Sequence, residues 1–139
     1  EEMRLLSIAL GVHHYIDWLG KIPRDKVMQC MKDSHLHVLT SLSEANTTVL
    51  LEAFSAGIPT LTIDHCGMSD LVNDGNGFKV AVDSYASVVE SFASTLSNCL
   101  NNPEEIDNKA AGVYETFQQL NWSKRECFFN KLYEDVYRS

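Results

Sequence analysis

Two rhythms of apolar and polar residues alternate along the chain. Short runs rich in β-branched and aromatic residues are bounded by turn formers, and between them apolar residues recur at helical spacing. Glu2 to Leu10 reads as a helix, with Leu5, Leu6 and Ala9 on one side and Gly11 as its stop. Tyr15 to Leu19 reads as a strand ending at Gly20. Pro23 suits the first turn of a helix, where its missing N–H costs nothing, and Val27, Met28 and Met31 supply that helix's apolar stripe. Leu36 to Thr40 is a second strand. After the polar loop Ser41 to Ala45, the run Val49-Leu50-Leu51 with Ala53-Phe54 predicts a buried helix from about Asn46 to Ala56. Gly57 ends it in the left-handed cap conformation, and Pro59 prevents a restart. Thr60 to Ile63 is a third strand, and a short helix around Ser69 to Asn73 follows. The turn Asp74-Gly75-Asn76-Gly77 then leads into a fourth strand, Phe78 to Val82.

Beyond Asp83 only helical patterns remain. Tyr85, Val88, Val89, Phe92 and Leu96 follow a Ser84 cap, and Pro103 opens a helix whose stripe is Ile106, Ala110, Val113, Phe117 and Leu120. Ser123 and Glu126 read as a capping box ahead of a last helix carrying Phe128, Leu132 and Val136. Strands alternating with helices predict βαβ units and a parallel sheet of about four strands, hence an α/β fold with a helical C-terminal end.

Composition narrows the function classes. The 139 residues suit one domain, and 45% apolar with 22% charged content lies far from the disordered corner. Eleven Lys and Arg against 19 Asp and Glu leave a net charge of −8, which argues against a nucleic-acid surface. No apolar run approaches the ~20 residues of a membrane span, and no secretory signal pattern opens the sequence. Cys30, Cys66, Cys99 and Cys127 lie far apart without a CxxC pair, so neither a disulfide framework nor a zinc cluster is expected. A reduced, cytoplasmic setting fits. Between Asp33 and Phe78 there is no Lys or Arg, while Asp33, Glu44, Glu52, Asp64, Asp70 and Asp74 all fall there. An anion bound by this stretch has to be held without basic side chains of its own.

The candidate chemistry lies in that stretch. Glu44 sits in the loop leaving the second strand and Glu52 about two turns into the following helix. In an open parallel sheet, ligands bind beyond the carboxyl ends of the strands, where this loop and helix start belong. The helix start presents the backbone N–H groups of Asn46, Thr47 and Thr48, backed by roughly half a positive charge, an anion site that needs no Lys or Arg. Carboxylates on either side suit hydroxyl-rich groups, because an ionised carboxylate accepts from O–H donors. Sugar hydroxyls, phosphate, then further hydroxyls is the order found in a nucleotide-sugar. Taken alone, a helix glutamate such as Glu52 more often faces solvent or a local partner, and Asn and Thr at a helix start also serve simply as N-caps.

Glu44 and Glu52, separated by seven residues and followed by Ala53-Phe54-Ser55-Ala56-Gly57-Ile58-Pro59, resemble the E-x7-E signature of retaining glycosyltransferases of family 4. Tyr15-Ile16-Asp17-Trp18-Leu19-Gly20 is similar to that family's strand before the base-binding loop. Gly67 lies where a glycine-containing loop follows the next strand, and Asp74-Gly75-Asn76-Gly77-Phe78 resembles its Asn-Gly turn. The likeness runs over most of residues 12 to 137. It implies a Rossmann-like GT-B fold, a nucleotide-sugar donor such as a UDP- or GDP-sugar, and a place in polysaccharide biosynthesis. By position, Glu44 would contact the transferred sugar as the catalytic carboxylate and Glu52 the ribose. The amides of Ala45, Asn46, Thr47 and Thr48 would meet the diphosphate and sugar, and Gly20, Lys21 and Ile22 would border the base.

The resemblance also implies what should accompany the chain. Members of that family have an N-terminal acceptor domain, and their donor domain begins with two further strands carrying a glycine-rich loop and basic residues. The expectation is therefore a C-terminal donor-binding part without its first two strands, inactive alone. The last helix would lack its usual partner, which makes a homodimer over that face an expectation, and the longer protein is compatible with peripheral contact at the inner face of a membrane. His35 with His37, His65-Cys66 and His13-His14 invite a metal reading, but strand histidines more often pack or bond locally, and the resemblance implies no protein-bound metal and no cofactor. Asn46-Thr47-Thr48 and Asn121-Trp122-Ser123 match the N-glycosylation pattern without a secretory context. The alternatives are a non-catalytic flavodoxin-like or receiver-like interaction module, and a GT-B sugar-nucleotide epimerase.

Overall fold

The computed structural model describes residues 1–44, 47–120 and 122–138. Three parallel strands, β1 (His37–Leu39), β2 (Thr60–Ile63) and β3 (Gly77–Val80), form a sheet in the order β1-β2-β3. The helices are α1 (Glu2–Ala9), α2 (Arg24–Lys32), α3 (Thr48–Ser55), α4 (Cys66–Leu71), α5 (Tyr85–Asn101), α6 (Pro103–Gln119) and α7 (Trp122–Tyr137). This is the expected α/β architecture with a helical end.

The strand predicted over Tyr15 to Leu19 is the main departure. A short 3-10 turn spans His13–Tyr15, closed by hydrogen bonds from the Tyr15 amide to the Val12 carbonyl and from the Ile16 amide to the His13 carbonyl; Ile16 is extended, and the segment that follows is exposed. Its β-branched and aromatic residues favour an extended backbone, yet a strand needs a neighbour to complete its ladder, and among the described residues none pairs with it. Trp18 instead receives α1: the Arg4 guanidinium lies 5.7 Å from the centre of its ring and donates to its carbonyl at 3.4 Å. Smaller shifts occur at helix starts. α3 begins at Thr48 rather than near Asn46, α4 at Cys66 rather than near Ser69, and α7 at Trp122, which places Ser123 inside the helix rather than at its cap.

β2 is the centre of the core. All four of its residues are buried, as expected of a parallel strand flanked on both sides. Leu61 and Ile63 pack with Leu50 and Phe54 of α3, Met68 and Val72 from α4 and its end, Val80 of β3, Phe92 of α5 and Val113 of α6. The hydroxyls interleaved with them are paired: Thr62 bonds the Met68 sulfur at 3.1 Å, and Thr60 shares a 3.1 Å bond with His37 Nδ1. Burial holds the His37 imidazole below the usual histidine range. That partner is the local bond expected of a strand histidine.

Stop signals position α3. Gly57 takes φ +79° and its amide bonds the Phe54 carbonyl, after which Ile58 bonds back to Ala53. At the far side, the Asn73–Gly77 turn is locked to α6. Fully buried Asn76 accepts from the Asn73 amide at 2.8 Å and donates to the Leu71 carbonyl and the Thr116 hydroxyl. Gly112 lets the turn approach, for a Cβ there would lie 2.1 Å from the Gly75 carbonyl oxygen. By contrast, α7 exposes Phe128, Leu132 and Val136, and α1 exposes Leu5, Leu6 and Ile8. Among the described residues, no helix is long and apolar enough to cross a membrane.

Two stability measurements test this packing. Gly112→Ala should lower unfolding stability in urea by about 1–3 kcal/mol through overpacking against the Gly75 backbone; a midpoint equal to the parent's would contradict the lock. Because folded His37 resists protonation, the unfolded chain takes up that proton first, and the stability present above the ordinary value of 6.5 is lost as pH falls through it toward the lower folded value. His37→Gln should therefore flatten the fall in melting temperature on acidification below neutrality, and an unchanged slope would count against half-buried, neutral His37.

Candidate functional site

Because the three strands are parallel, their carboxyl ends at Leu39, Ile63 and Val80 share one side of the sheet. The loops leaving them carry Glu44 after β1, the start of α4 after β2, and Ser84 after β3. The Glu44 loop is tied across this side: the Gly67 amide donates to the Glu44 carbonyl at 3.3 Å, and the Ser43 hydroxyl lies 3.9 Å from the Cys66 sulfur. Cys66 takes φ +51°, a left-handed conformation that costs a non-glycine residue about 1–2 kcal/mol and turns the chain so that the next amide meets that carbonyl.

α3 follows directly. Thr47 is buried at its N-cap and makes no side-chain cap, while its carbonyl accepts from the amides of Leu50 and Leu51. The amides of Thr48 and Val49 thus precede the first intrahelical bond, at the positive end of the helix. Of the predicted diphosphate contacts, Thr47 and Thr48 are at this end; Ala45 and Asn46 lie outside the described residues. Glu52 lies one turn further along. The backbone of Glu44 is tied to α4 and the side chain of Glu52 reaches α2, so the two carboxylates belong to different parts of the site with the α3 start between them in the chain.

Glu52 has a partner that sequence reasoning missed. The Arg24 Nε donates to Glu52 Oε1 at 2.9 Å, and a terminal guanidinium nitrogen of Arg24 reaches the same oxygen at 2.9 Å. The Glu52 side chain is 27% exposed and that of Arg24 79%. A signal was present in the sequence. Arg24 is the first residue of α2, right after Pro23, where the helix dipole disfavours a cation unless an outside anion compensates it. The stretch without Lys or Arg therefore receives its positive charge from a neighbouring element.

The predicted base-bordering residues precede Arg24. Gly20, at φ +63°, and half-buried Ile22 line a shallow, largely apolar groove of about 310 Å³ with Val27, Met31, Val38 and Ile58, and Lys21 is exposed. Arg24, two residues beyond Ile22, thus ties the start of α2 to the middle of α3. A second charge pair lies at the end of β2, where Asp64 receives Lys79 at 3.1 Å and the Ser69 hydroxyl. The Ser69 bond, then Lys79, hold the Asp64 carboxyl below the usual carboxylate range. A larger apolar groove of about 740 Å³, between Val38, Leu42, Val82, Tyr85, Val88 and Phe92, is lined by none of the predicted site residues.

Residues 1–113 match the family of glycosyl transferases group 1. An uncharacterised glycosyltransferase of Methanocaldococcus jannaschii is 26% identical over 128 residues, covering 91% of this chain and 33% of the relative. Among solved structures, sucrose-phosphate synthase of Thermosynechococcus elongatus superposes with a TM-score of 0.79 at 18% identity, over 99% of this chain and 34% of that one. HepE of Anabaena, in complex with UDP, gives 0.70 at 22% identity, over 85% of this chain and 31% of that one. The chain spans about a third of each of these proteins.

The Arg24–Glu52 pair lies at the surface, where such pairs contribute little to folding. Arg24→Ala and Glu52→Gln should each change unfolding stability by less than about 1 kcal/mol in thermal or urea melts. A loss of several kcal/mol in either variant would make the pair a folding element instead of a site.

Proposed function

Because the chain belongs to the glycosyl transferases group 1 family and has the GT-B, Rossmann-like α/β fold, we propose that it is the donor-binding part of a retaining glycosyltransferase. The donor is a nucleoside diphosphate sugar such as a UDP- or GDP-sugar. In this reading the base lies along Gly20, Lys21 and Ile22, and Glu52 accepts hydrogen bonds from the ribose hydroxyls. The diphosphate meets the amides at the start of α3, including Ala45 to Thr48, with these N–H groups in place of a bound metal. The transferred sugar lies by Glu44. The order base, ribose, diphosphate, sugar then runs from the loop before α2, across α3, to the loop after β1.

Transfer breaks the bond between the anomeric carbon and the diphosphate oxygen and forms one to an acceptor hydroxyl. Negative charge gathers on the departing diphosphate, where fixed helix amides oppose it without reorganising, and positive charge gathers on the sugar ring, where the Glu44 carboxylate opposes that. The observation that carries the reading is the half-buried Glu52 held at the middle of α3, one turn past amides that precede the helix ladder. The UDP bound to HepE supports the same ligand class for this chain. Since the chain spans about a third of its relatives, the acceptor-binding groups belong to other residues of a longer protein, and the 139 residues alone bind donor weakly without turning it over.

Calorimetric titration of the chain with UDP and with GDP tests this. One nucleotide should bind weakly, with Kd of order 1 mM, and Glu52→Gln should weaken that binding about tenfold, the loss expected for one charge-assisted hydrogen bond. Binding unchanged by Glu52→Gln would overturn the donor-site reading, and tight micromolar binding would overturn its reliance on further groups outside the chain.

A further inference from the structure

Resting on that donor-site reading, we propose that Arg24 is a positioning residue for the nucleotide: it fixes the Glu52 carboxylate so that one of its oxygens faces the ribose hydroxyls. The geometry of the pair is one-sided. Both guanidinium contacts, each 2.9 Å, fall on Oε1, whereas a bidentate pair would place one on each oxygen. Among the described residues, the side-chain hydrogen bond to this carboxylate falls on Oε1 and none falls on Oε2. A carboxylate held in this manner keeps the lone pairs of one oxygen for a ligand while the other is occupied.

The placement of Arg24 makes this more than a surface contact. It stands at the start of α2, two residues beyond Ile22, so one short segment carries both the proposed base border and the clamp on the proposed ribose acceptor. The same cation supplies charge to a stretch from Asp33 to Phe78 that has none of its own. Without Arg24, Glu52 keeps its place on α3, but its three rotatable side-chain bonds are no longer set, and each hydroxyl contact must then order them at binding.

The test is a cycle between protein and ligand. The parent chain, Arg24→Ala, Arg24→Lys and Glu52→Gln are titrated with UDP and with the UDP analogue whose ribose lacks both hydroxyls, and the guanosine counterparts are run alongside. Circular dichroism melts check that all four chains fold alike. Arg24→Ala should weaken binding of the natural nucleotide by about three- to tenfold, a loss below that of a whole charge-assisted hydrogen bond, and should leave the hydroxyl-free analogue bound as by the parent. Arg24→Lys, which restores charge without the planar fork, should recover part of the loss. If Arg24→Ala binds the natural nucleotide like the parent while Glu52→Gln is weakened, the positioning role is wrong and the donor site stands. If Arg24→Ala weakens both ligands equally, Arg24 acts by general charge and the positioning role is again wrong. If Glu52→Gln changes nothing, or no nucleotide binds, the donor-site reading fails and this inference with it.

Discussion

β2 is only four residues long, and every one of them is buried with a parallel neighbour on each side. Parallel pairing on both edges requires the chain to cross over between β1, β2 and β3, and each crossover is supplied by a helix, α3 and then α4. It also sends all three carboxyl ends to one side. The Glu44 loop, the start of α3 and the α4 turn at Cys66 meet there because the strands leave them no other exit. Burial of Thr60 and Thr62 would be costly if their hydroxyls lacked partners, and His37 and Met68 provide them, so the polar contacts of β2 help fix its register.

Charge is arranged on this frame with economy. The segment carrying the proposed ligand contacts is acidic, with cations drawn in from elements outside it or at its border: Arg24 from α2 to Glu52, and Lys79 from β3 to Asp64. Both pairs leave the α3 start to the helix amides. The result is an anion-compatible helix end on a frame whose Glu52 and Asp64 carboxylates are already countered by cations, which suits a ligand alternating hydroxyls with phosphate.

Much of the fold was legible in local chemistry. β2 was bounded by Pro59 and the β-branched run Thr60 to Ile63, α5 by its Ser84 cap, whose side chain bonds the Ser87 amide, and α6 by Pro103. These signals act within a few residues, so sequence alone carries them. Tyr15 to Leu19 misled because strand identity depends on a neighbour elsewhere in space, which composition does not encode. Ser123 misled because a capping-box pattern is also an ordinary helix interior once the helix starts one residue earlier. At the site, Glu44, Glu52 and the helix start were readable from spacing, whereas the Arg24 contact, 28 residues from its partner, was not. The histidines that suggested a metal include His37, whose partner proved to be a strand hydroxyl.

In the proposed site, nucleotide lies across α3, between the loop before α2 and the loop after β1. Backbone amide shifts of the isotope-labelled chain during titration with UDP or GDP test it most directly. Nucleotide bound there should shift Gly20 to Arg24, Glu44 and Thr47 to Glu52, and leave Tyr85 to Leu96 unmoved. Shifts centred instead on the apolar groove of Val82, Tyr85, Val88 and Phe92, with α3 silent, would contradict it.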